Sequence, residues 1–264
     1  MAFNVLKEVQ EFHTDFIAGS VAIASEPFSL IQGNSAPAPT FSPSVDPYFG
    51  ILNLSTGAVA NGYSILAIDA SQFILNKRPY RAHVQFQIPV LANAGVQDFQ
   101  VFMGFDSSMV GTGTASVSAA RFRTTVANAI VTDLIAASAA VGGSPNTETP
   151  LGATGLVAAT WYNWYIQADF INTQTQLTYG NLVAGPTVGI RQWLIPDLGL
   201  NPSFPGVNQF NAFTQGYMGE YPLGLAPTAN LGFVIGISSV TGTTPKSLLI
   251  NRATVLADRW NPGN

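Results

Sequence analysis

The sequence predicts an all-β fold, a two-sheet β-sandwich preceded by a short N-terminal arm. Three observations support this prediction. The 264 residues include 25 Gly and 17 Pro, which divide the chain into short apolar runs, as expected for many short strands joined by turns. Hydrophobic residues make up 47% of the chain, which is enough for one sizeable core. Several runs alternate apolar and polar residues, which indicates strands with one buried face.

The N-terminal arm is predicted to span residues 1–45, and the sandwich domain residues 46–264. Apolar side chains recur at helical spacing from Val5 to Phe16 with charged residues between them, which predicts a short amphipathic helix. Its apolar stripe is the predicted anchoring element and consists of Val5, Val9, Phe12 and Phe16. The Pro-rich stretch from Gln32 onwards suits an extended connector on a surface, because proline disfavours helices and central strands.

Strands are predicted beyond residue 46 wherever the alternation is clear. They are residues 83–88, 99–105, 161–170, 176–179, 189–194, 231–237 and 249–256. In the clearest strand, Tyr162 and Trp164 alternate with Asn163 and Tyr165, so one face enters a core and the other is mostly polar. The same reasoning places His83 at a surface or an interface. Residues 111–143 are rich in Ala, Ser and Thr and fit either a strand pair or a helix.

Low charge is the most unusual property of the sequence. Charged residues make up 9% of the chain, ten Lys and Arg and 14 Asp and Glu, whereas ordinary globular domains carry about a quarter. We expect other protein chains to cover part of so uncharged a surface, which predicts an assembly component. The basic residues are scattered and predict no nucleic-acid partner. The longest uncharged run contains several prolines, which predicts no membrane insertion.

Three segments resemble a known family. They are the run YFGILNLSTG at residues 48–57, the strand TWYNWYI at residues 160–166 and the closing run VLADRW at residues 255–260. Together they are similar to bacteriophage virion proteins with a laminin-G-like, concanavalin A-like jelly-roll domain, although Tyr48-Phe49-Gly50 stands where that family has His-Pro-Gly.

The resemblance implies a capsid decoration or cement protein, a head fibre or a tail fibre. Such a protein is commonly a homotrimer. It is displayed on the virion surface after assembly in the host cytoplasm, and its partners are other virion proteins of the capsid or tail. The start of the chain agrees with this location, because it lacks the basic and apolar regions of a secretion signal.

Enzymatic activity is not predicted. Glucanases with the concanavalin-type fold place two carboxylates on one strand as Glu-x-Asp-x-Glu, and no such spacing occurs in this chain. The sequence has two His and no Cys, and neither His13 nor His83 lies in a motif for nucleophilic catalysis. We therefore predict no catalytic residue, no cofactor and no metal site.

An alternative function is a lectin-like module that binds host-surface glycans. The aromatic residues between Leu200 and Tyr221 stand among Asn and Gln side chains, a composition that suits either a sugar groove or a subunit seam. The candidate contact residues are Phe204, Phe210, Phe213, Tyr217 and Tyr221, together with Trp161 and Tyr165 on the second face of their strand.

Overall fold

The computed structural model describes residues 8–14, 28–43, 50–74, 80–91, 98–106, 118–125, 128–138, 147–153, 156–171, 176–178, 181–183, 187–196, 216–222 and 230–259. Every regular element in these ranges is a β-strand. The strands are β1 (Glu8–Thr14), β2 (Phe28–Gly33), β3 (Thr40–Pro43), β4 (Gly50–Ser55), β5 (Tyr63–Ile74), β6 (Tyr80–Gln87), β7 (Asp98–Asp106), β8 (Ser118–Thr125), β9 (Asn128–Ser138), β10 (Thr147–Ala153), β11 (Trp161–Ile171), β12 (Gln176–Thr178), β13 (Asn181–Val183), β14 (Thr187–Pro196), β15 (Gly216–Pro222), β16 (Asn230–Thr241) and β17 (Ser247–Arg259).

The strands form two large antiparallel sheets and one small hairpin. Sheet A has the order β15-β14-β11-β6-β17-β4-β3, and β1 also pairs with β17. Sheet B has the order β10-β9-β8-β7-β16-β5-β2, and β12 pairs with β13. The predicted all-β, two-sheet sandwich is therefore confirmed.

Each strand predicted from alternation is present, as β6, β7, β11, β12, β14, β16 and β17. The ambiguous stretch at residues 111–143 contains β8 and β9, which pair with each other, for example Arg121 with Ile135. The small side chains of this stretch favour neither state strongly. The neighbouring strand β7, whose Val101 pairs with Phe122, supplies the edge on which β8 forms.

The helix predicted for the arm is wrong over residues 8–14, which form strand β1 along β17. Val9 pairs with Asp258 and Phe12 with Val255. Because strand residues alternate faces, two residues three apart cannot share one face, so the predicted apolar stripe does not exist in this strand. Val5 and Phe16 lie outside the described residues.

Pairing with β17 explains why this segment forms a strand. Strand β4 covers β17 only from Ser247 to Ile250, and β1 occupies the same edge from Ala253 to Arg259. Strands β2 and β3 also join edges of the sheets, β2 beside β5 and β3 beside β4. The boundary predicted at residue 46 therefore does not separate these three strands from the sandwich.

The core lies between the sheets, where β16 of sheet B contacts both β4 and β17 of sheet A. Sheet A contributes the fully buried Leu52, Phe86 and Trp164, and the rings of Phe86 and Trp164 lie 6.0 Å apart. Sheet B contributes Leu66 and Phe233. Each such side chain contributes about 1.5–3 kcal/mol by leaving water. This packing holds the central strands of sheet A rigidly in register.

The Leu-Ser-Thr-Gly segment that carries the family resemblance closes one end of the sandwich. The Thr56 amide donates to the Lys246 carbonyl at 3.0 Å, and the Lys246 amide donates to Thr56 Oγ1 at 3.0 Å. Gly57 has a φ of 68°, and a Cβ there would lie 2.8 Å from Cδ of Pro37. The motif is therefore explained by the geometry of this turn.

Candidate functional site

The outward face of sheet A carries polar side chains across its central strands β11, β6, β17 and β4. We call this surface the polar face. Its described members are Asn53, Arg81, His83, Gln85, Gln87, Trp161, Asn163, Tyr165, Asn251, Arg252 and Thr254. The residues between them, such as Val84 and Trp164, are fully buried in the core. Alternation along each strand therefore separates an apolar inward face from a polar outward face.

Register aligns the members of the polar face in rows. Tyr165 pairs with His83, which pairs with Thr254 on the next strand. Asn163 pairs with Gln85, which pairs with Arg252. Directly opposite residues of an antiparallel pair have Cβ atoms about 4.5–5.5 Å apart, so residues of each row touch one another across the strands.

His83 is the centre of the best-ordered part of the polar face. Its ring stacks on Tyr165, with the centroids 4.4 Å apart and the planes 11° apart. Its Nε2 forms a hydrogen bond with Asn163 Oδ1 at 2.9 Å. His83 is 3% exposed, Tyr165 3% and Asn163 6%, so of the two positions predicted for His83, a surface or an interface, the solvent-exposed surface is wrong. Stacking and burial hold these three side chains in one arrangement.

Carboxamide side chains lie on all four central strands, as Asn163 on β11, Gln85 on β6, Asn251 on β17 and Asn53 on β4. Asn163 and Gln85 share a row, whereas Asn53 lies opposite Leu249, which pairs with Gln87. The register shift between Ile250 and Arg252 leaves Asn251 as an extra residue. Asn251 Nδ2 donates to Gln85 Oε1 at 2.8 Å, so carboxamides of two adjacent strands are joined directly.

Some polar atoms of this face have no hydrogen-bond partner within the described part of the protein. Asn53 Oδ1 and Asn251 Oδ1 are buried acceptors of this kind, and Arg81 Nε is a buried donor. A buried polar atom without a partner costs about 1–3 kcal/mol.

No described group of three or more His, Asp and Glu side chains is arranged to hold a metal ion. The described side chains of the polar face include three groups of cationic or imidazole type, Arg81, Arg252 and His83, and no carboxylate. Within the ranges that the structure describes, no helix is long and apolar enough to cross a membrane.

Lys246, at one end of the sandwich, is a second conspicuous polar residue. It is 4% exposed, its Nζ donates to the Leu91 carbonyl at 3.1 Å, and this atom lies 5.9 Å from the centre of the Phe99 ring. Burial lowers the pKa of Lys246 below its ordinary value of 10.5. These contacts, together with its hydrogen bonds to Thr56, tie parts of the fold together, so we assign Lys246 no binding role.

Two of the candidate contact residues from the sequence belong to the polar face. Trp161 is half-buried there, in the same row as Gln87, whose Nε2 donates to the Ala159 carbonyl at 2.9 Å. Tyr165 also lies on this face, but its ring is buried against His83. Tyr165 therefore orients its neighbours, whereas Trp161 is a partly exposed residue.

Tyr217 and Tyr221 lie in cross-strand rows other than those of the polar face. In β15, Tyr217 occupies the same cross-strand row as Ile166, whereas Tyr165 shares its row with Gly216. Tyr221 lies four residues after Tyr217 and belongs to the same set of rows. The register therefore assigns both to the opposite set of rows from Trp161 and Tyr165. The remaining candidates lie outside the described residues; they are Phe204, Phe210 and Phe213.

Sequence reasoning missed most of the polar face. The alternation of His83 and Gln85 with apolar residues predicts a polar strand face at a surface or an interface, but not the partners of these side chains. The pairing of His83 with Tyr165 and Asn163 joins residues about 80 positions apart. The sequence does show that Trp161, Asn163 and Tyr165 share one face of their strand. It does not show which strand lies beside that face's residues.

Solved structures share this fold over nearly the whole chain. A protein of unknown function from Shewanella oneidensis MR-1 has a TM-score of 0.61 and 13% identity, over 99% of this chain and 93% of that one. The CBM2 module of the evolved Dit protein of Lactobacillus casei BL23 phage J-1 has a TM-score of 0.56 and 10% identity, over 97% and 100%. Peanut lectin has a TM-score of 0.55 and 9% identity, over 96% and 99%.

These likenesses identify the fold as a concanavalin-like jelly roll. They cover the N-terminal residues as well, in agreement with the placement of β1 to β3 in the sheets. No protein-family model matches the chain, and no curated protein matches its sequence.

Proposed function

We propose that this protein is a non-enzymatic glycan-binding β-sandwich and that it binds through the polar face of sheet A. The observation that carries the proposal is the half-buried Trp161 in one row with the half-buried Gln87, on a face whose buried His83–Tyr165–Asn163 cluster is held in one arrangement. Sugars are recognised by such a combination, because rings stack on their apolar faces and amides bond their hydroxyls.

Preorganisation supports binding at this face. The stacked rings of His83 and Tyr165 and the two side-chain hydrogen bonds of Asn163 and Asn251 are already formed without a ligand. A ligand therefore immobilises few additional side chains on binding, which lowers the entropic cost of the complex.

The chemistry of the face favours binding over hydrolysis. Glycosidases need two carboxyl groups about 5–9.5 Å apart, and the described side chains of the polar face include no Asp or Glu. Two of the structural neighbours support a binding role by their names, a peanut lectin and a CBM2 module. Incubation with any glycan that binds should therefore release no new reducing ends, and release of such ends would contradict this part of the proposal.

Glycan-array screening followed by calorimetry tests the proposal. Trp161→Ala should weaken binding about tenfold, since loss of a ring contact on the order of 1.4 kcal/mol corresponds to that factor. The control is Gln32→Ala, which removes an exposed side chain from the edge of sheet B and should leave affinity unchanged. Equal affinities of the wild type and Trp161→Ala would show that the polar face is not the binding site.

A structural role on a bacteriophage particle is a second proposal, supported by the 9% content of charged residues. In this proposal the chain is a surface decoration, cement or fibre protein, and other virion proteins cover its uncharged surface. The phage origin of one structural neighbour gives further support. Mass spectrometry of gradient-purified particles should detect the chain, and its recovery only from the soluble lysate would contradict the proposal.

The homotrimer belongs to the same proposal. Light scattering should report three copies at micromolar concentration, because closed symmetric assemblies are the usual way to cover a weakly charged surface. A monomer under these conditions would exclude the trimer. Deletion of residues 2–45 is a poor test of attachment to the particle. It removes β1, β2 and β3 and should unfold the edges of both sheets.

A further inference from the structure

The rows of the outward face of sheet A differ in their access to solvent. In the row of Tyr165 and in the row of Asn163, the residues on β11 and β6 are buried. The next row lies where β11 begins and β6 ends, and each of its residues is at least partly exposed. We call it the rim row. It runs through Trp161, Gln87, Leu249, Asn53 and Thr40, each paired with the next.

The rim row crosses five strands, in the order β11, β6, β17, β4 and β3. Neighbouring strands lie about 4.8 Å apart, so four spacings cover roughly 19 Å, which is longer than a single sugar ring. Trp161 and Leu249 offer apolar surface, whereas Gln87, Asn53 and Thr40 carry amide or hydroxyl groups. Each unit of a glycan presents both an apolar face and hydroxyl groups, so consecutive units match consecutive parts of the row.

A strained loop fixes the Trp161 end of the rim row. Ala159 has a φ of 56°, in the left-handed region that residues other than glycine rarely adopt. Its amide donates to the Ile88 carbonyl at 2.9 Å, and its carbonyl accepts from Gln87 Nε2 at 2.9 Å. Strain of this kind persists where neighbouring contacts enforce it, and it clusters at ligand sites. Here it accompanies the contact that holds the Gln87 amide beside Trp161.

No described strand closes either end of the rim row. The pairing of β14 with β11 ends at Pro196 opposite Tyr162, so no residue of β14 continues the row beyond Trp161. At the other end, β3 is the last strand in the order of sheet A. A ligand chain can therefore extend past the outermost strand at both ends.

We infer that the rim row binds an extended glycan chain, which crosses the strands from β11 to β3 and contacts the row with several consecutive sugars. This inference rests on the proposed function and adds the class of ligand, a chain rather than one terminal sugar. It concerns the length of the ligand and not its charge. The rim row contains no charged residue, but Arg252 lies in the adjacent row, opposite Gln85, so neutral and acidic chains are both tested.

A length series of oligosaccharides tests the inference on the full chain. Calorimetry is carried out with cello-, laminari- and xylo-oligosaccharides and with oligogalacturonates, each from the monosaccharide to the hexasaccharide, and with any repeating glycan found on the array. In at least one series the affinity should rise about tenfold or more between the disaccharide and the hexasaccharide. The physical reason is that a disaccharide is too short to reach from Trp161 to Thr40.

Substitutions along the row locate the path of the chain. Leu249→Ala should lower the affinity for the hexasaccharide about three- to tenfold through loss of apolar contact. It should leave the affinity for the disaccharide unchanged, because the disaccharide is held by Trp161 and Gln87. Thr40→Ala, at an exposed position where truncation does not unfold the chain, should lower the hexasaccharide affinity about two- to fivefold.

The matched control is Leu30→Ala, which truncates a half-buried leucine on β2 of sheet B. It should change neither affinity. Thermal melting of each variant confirms that it is folded, so that a loss of affinity reports contact with the ligand.

The outcomes distinguish this inference from the proposed function. An affinity that stays constant from the disaccharide to the hexasaccharide in every series that binds would overturn the inference and leave glycan binding in place. Unchanged hexasaccharide affinity in both Leu249→Ala and Thr40→Ala would overturn the path from β11 to β3. Absence of binding to every glycan of these series and of the array would overturn both the inference and the proposed function.

Discussion

The outward faces of the two sheets are built in contrasting ways. On sheet A, buried His83, Tyr165 and Asn163 are held by a ring stack and a hydrogen bond. On sheet B, the corresponding surface carries an apolar cluster. Its buried members are Ile65, Ala67, Phe102 and Val234, with Ile31 and Tyr63 packed against them. Among the described side chains, sheet A carries buried polar atoms without a hydrogen-bond partner, whereas the cluster on sheet B is apolar.

The two faces therefore have different roles: the cluster on sheet B stabilises the fold, and the polar face of sheet A is the proposed binding surface. Dispersion and hydrophobic contacts are non-directional and depend on close packing, so the cluster on sheet B adds stability without selecting a ligand. Hydrogen-bonding groups contribute little net stability when satisfied and demand a partner when they are not. We therefore expect substitutions on sheet B to change the unfolding free energy alone, and substitutions on sheet A to change binding as well.

The largest expected effect is that of Phe102→Ala on sheet B. The ring is 2% exposed and belongs to the apolar cluster, so its removal leaves a cavity and should lower the free energy of unfolding by about 3–5 kcal/mol. Denaturant melts measure the loss. Glycan affinity, measured where the variant is folded, should be unchanged, and a parallel loss of affinity would mean that the two faces are coupled.

A smaller decrease in the free energy of unfolding is expected from Gly236→Ala, which adds a carbon atom next to the same cluster. A Cβ at this position would lie 2.8 Å from Phe102 Cζ and 2.9 Å from both Ile65 Cγ1 and the Ser64 carbonyl oxygen. Overpacking of this kind costs about 1–3 kcal/mol. A thermal melt unchanged from the wild type would show that Phe102 can move aside, and that the cluster is looser than its burial indicates.

Asn163→Ala on sheet A should lower the free energy of unfolding by a similar amount, about 1–3 kcal/mol, because His83 loses a buried hydrogen-bond partner. The matched control is Gln100→Ala on sheet B, which removes the 3.0 Å hydrogen bond from Gln100 Nε2 to Ser238 Oγ. Both variants should melt at lower temperature, but only Asn163→Ala should lose glycan affinity. Loss of affinity in the control instead would reverse the roles assigned to the two sheets.

The smallest expected effect concerns Lys246 at the end of the sandwich. Its pKa is lowered by burial from 10.5, so between its folded pKa and 10.5 the unfolded chain binds more protons than the folded one. Stability contributed by this residue should therefore rise with pH in that interval. Relative to Lys246→Met, the wild type should become more stable as the pH is raised from 7 towards 10.5. A constant difference between the two melting curves would contradict this.

Local patterns account for the parts of this protein that were predicted correctly. Alternation in runs such as the strand around Trp164 reports burial of every second residue directly, so the strands and the core could be read without knowledge of their partners. The helix predicted from the amphipathic pattern is wrong over residues 8–14, because the pattern does not report long-range pairing. The pattern is short, and the free edge of β17 after Ile250 offers seven paired positions to β1, a long-range gain that outweighs a weak local preference.

The fold class, the positions of most strands and the apolar composition of the core follow from residue order alone, because the period of two is a property of each strand. The polar face does not follow from it. His83 meets Asn163 across 80 positions, and Asn251 reaches Gln85 through a single register shift in β17. Such contacts depend on which strands become neighbours and in what register, and these are set by packing of the whole sandwich, so they appear only when both sheets are assembled.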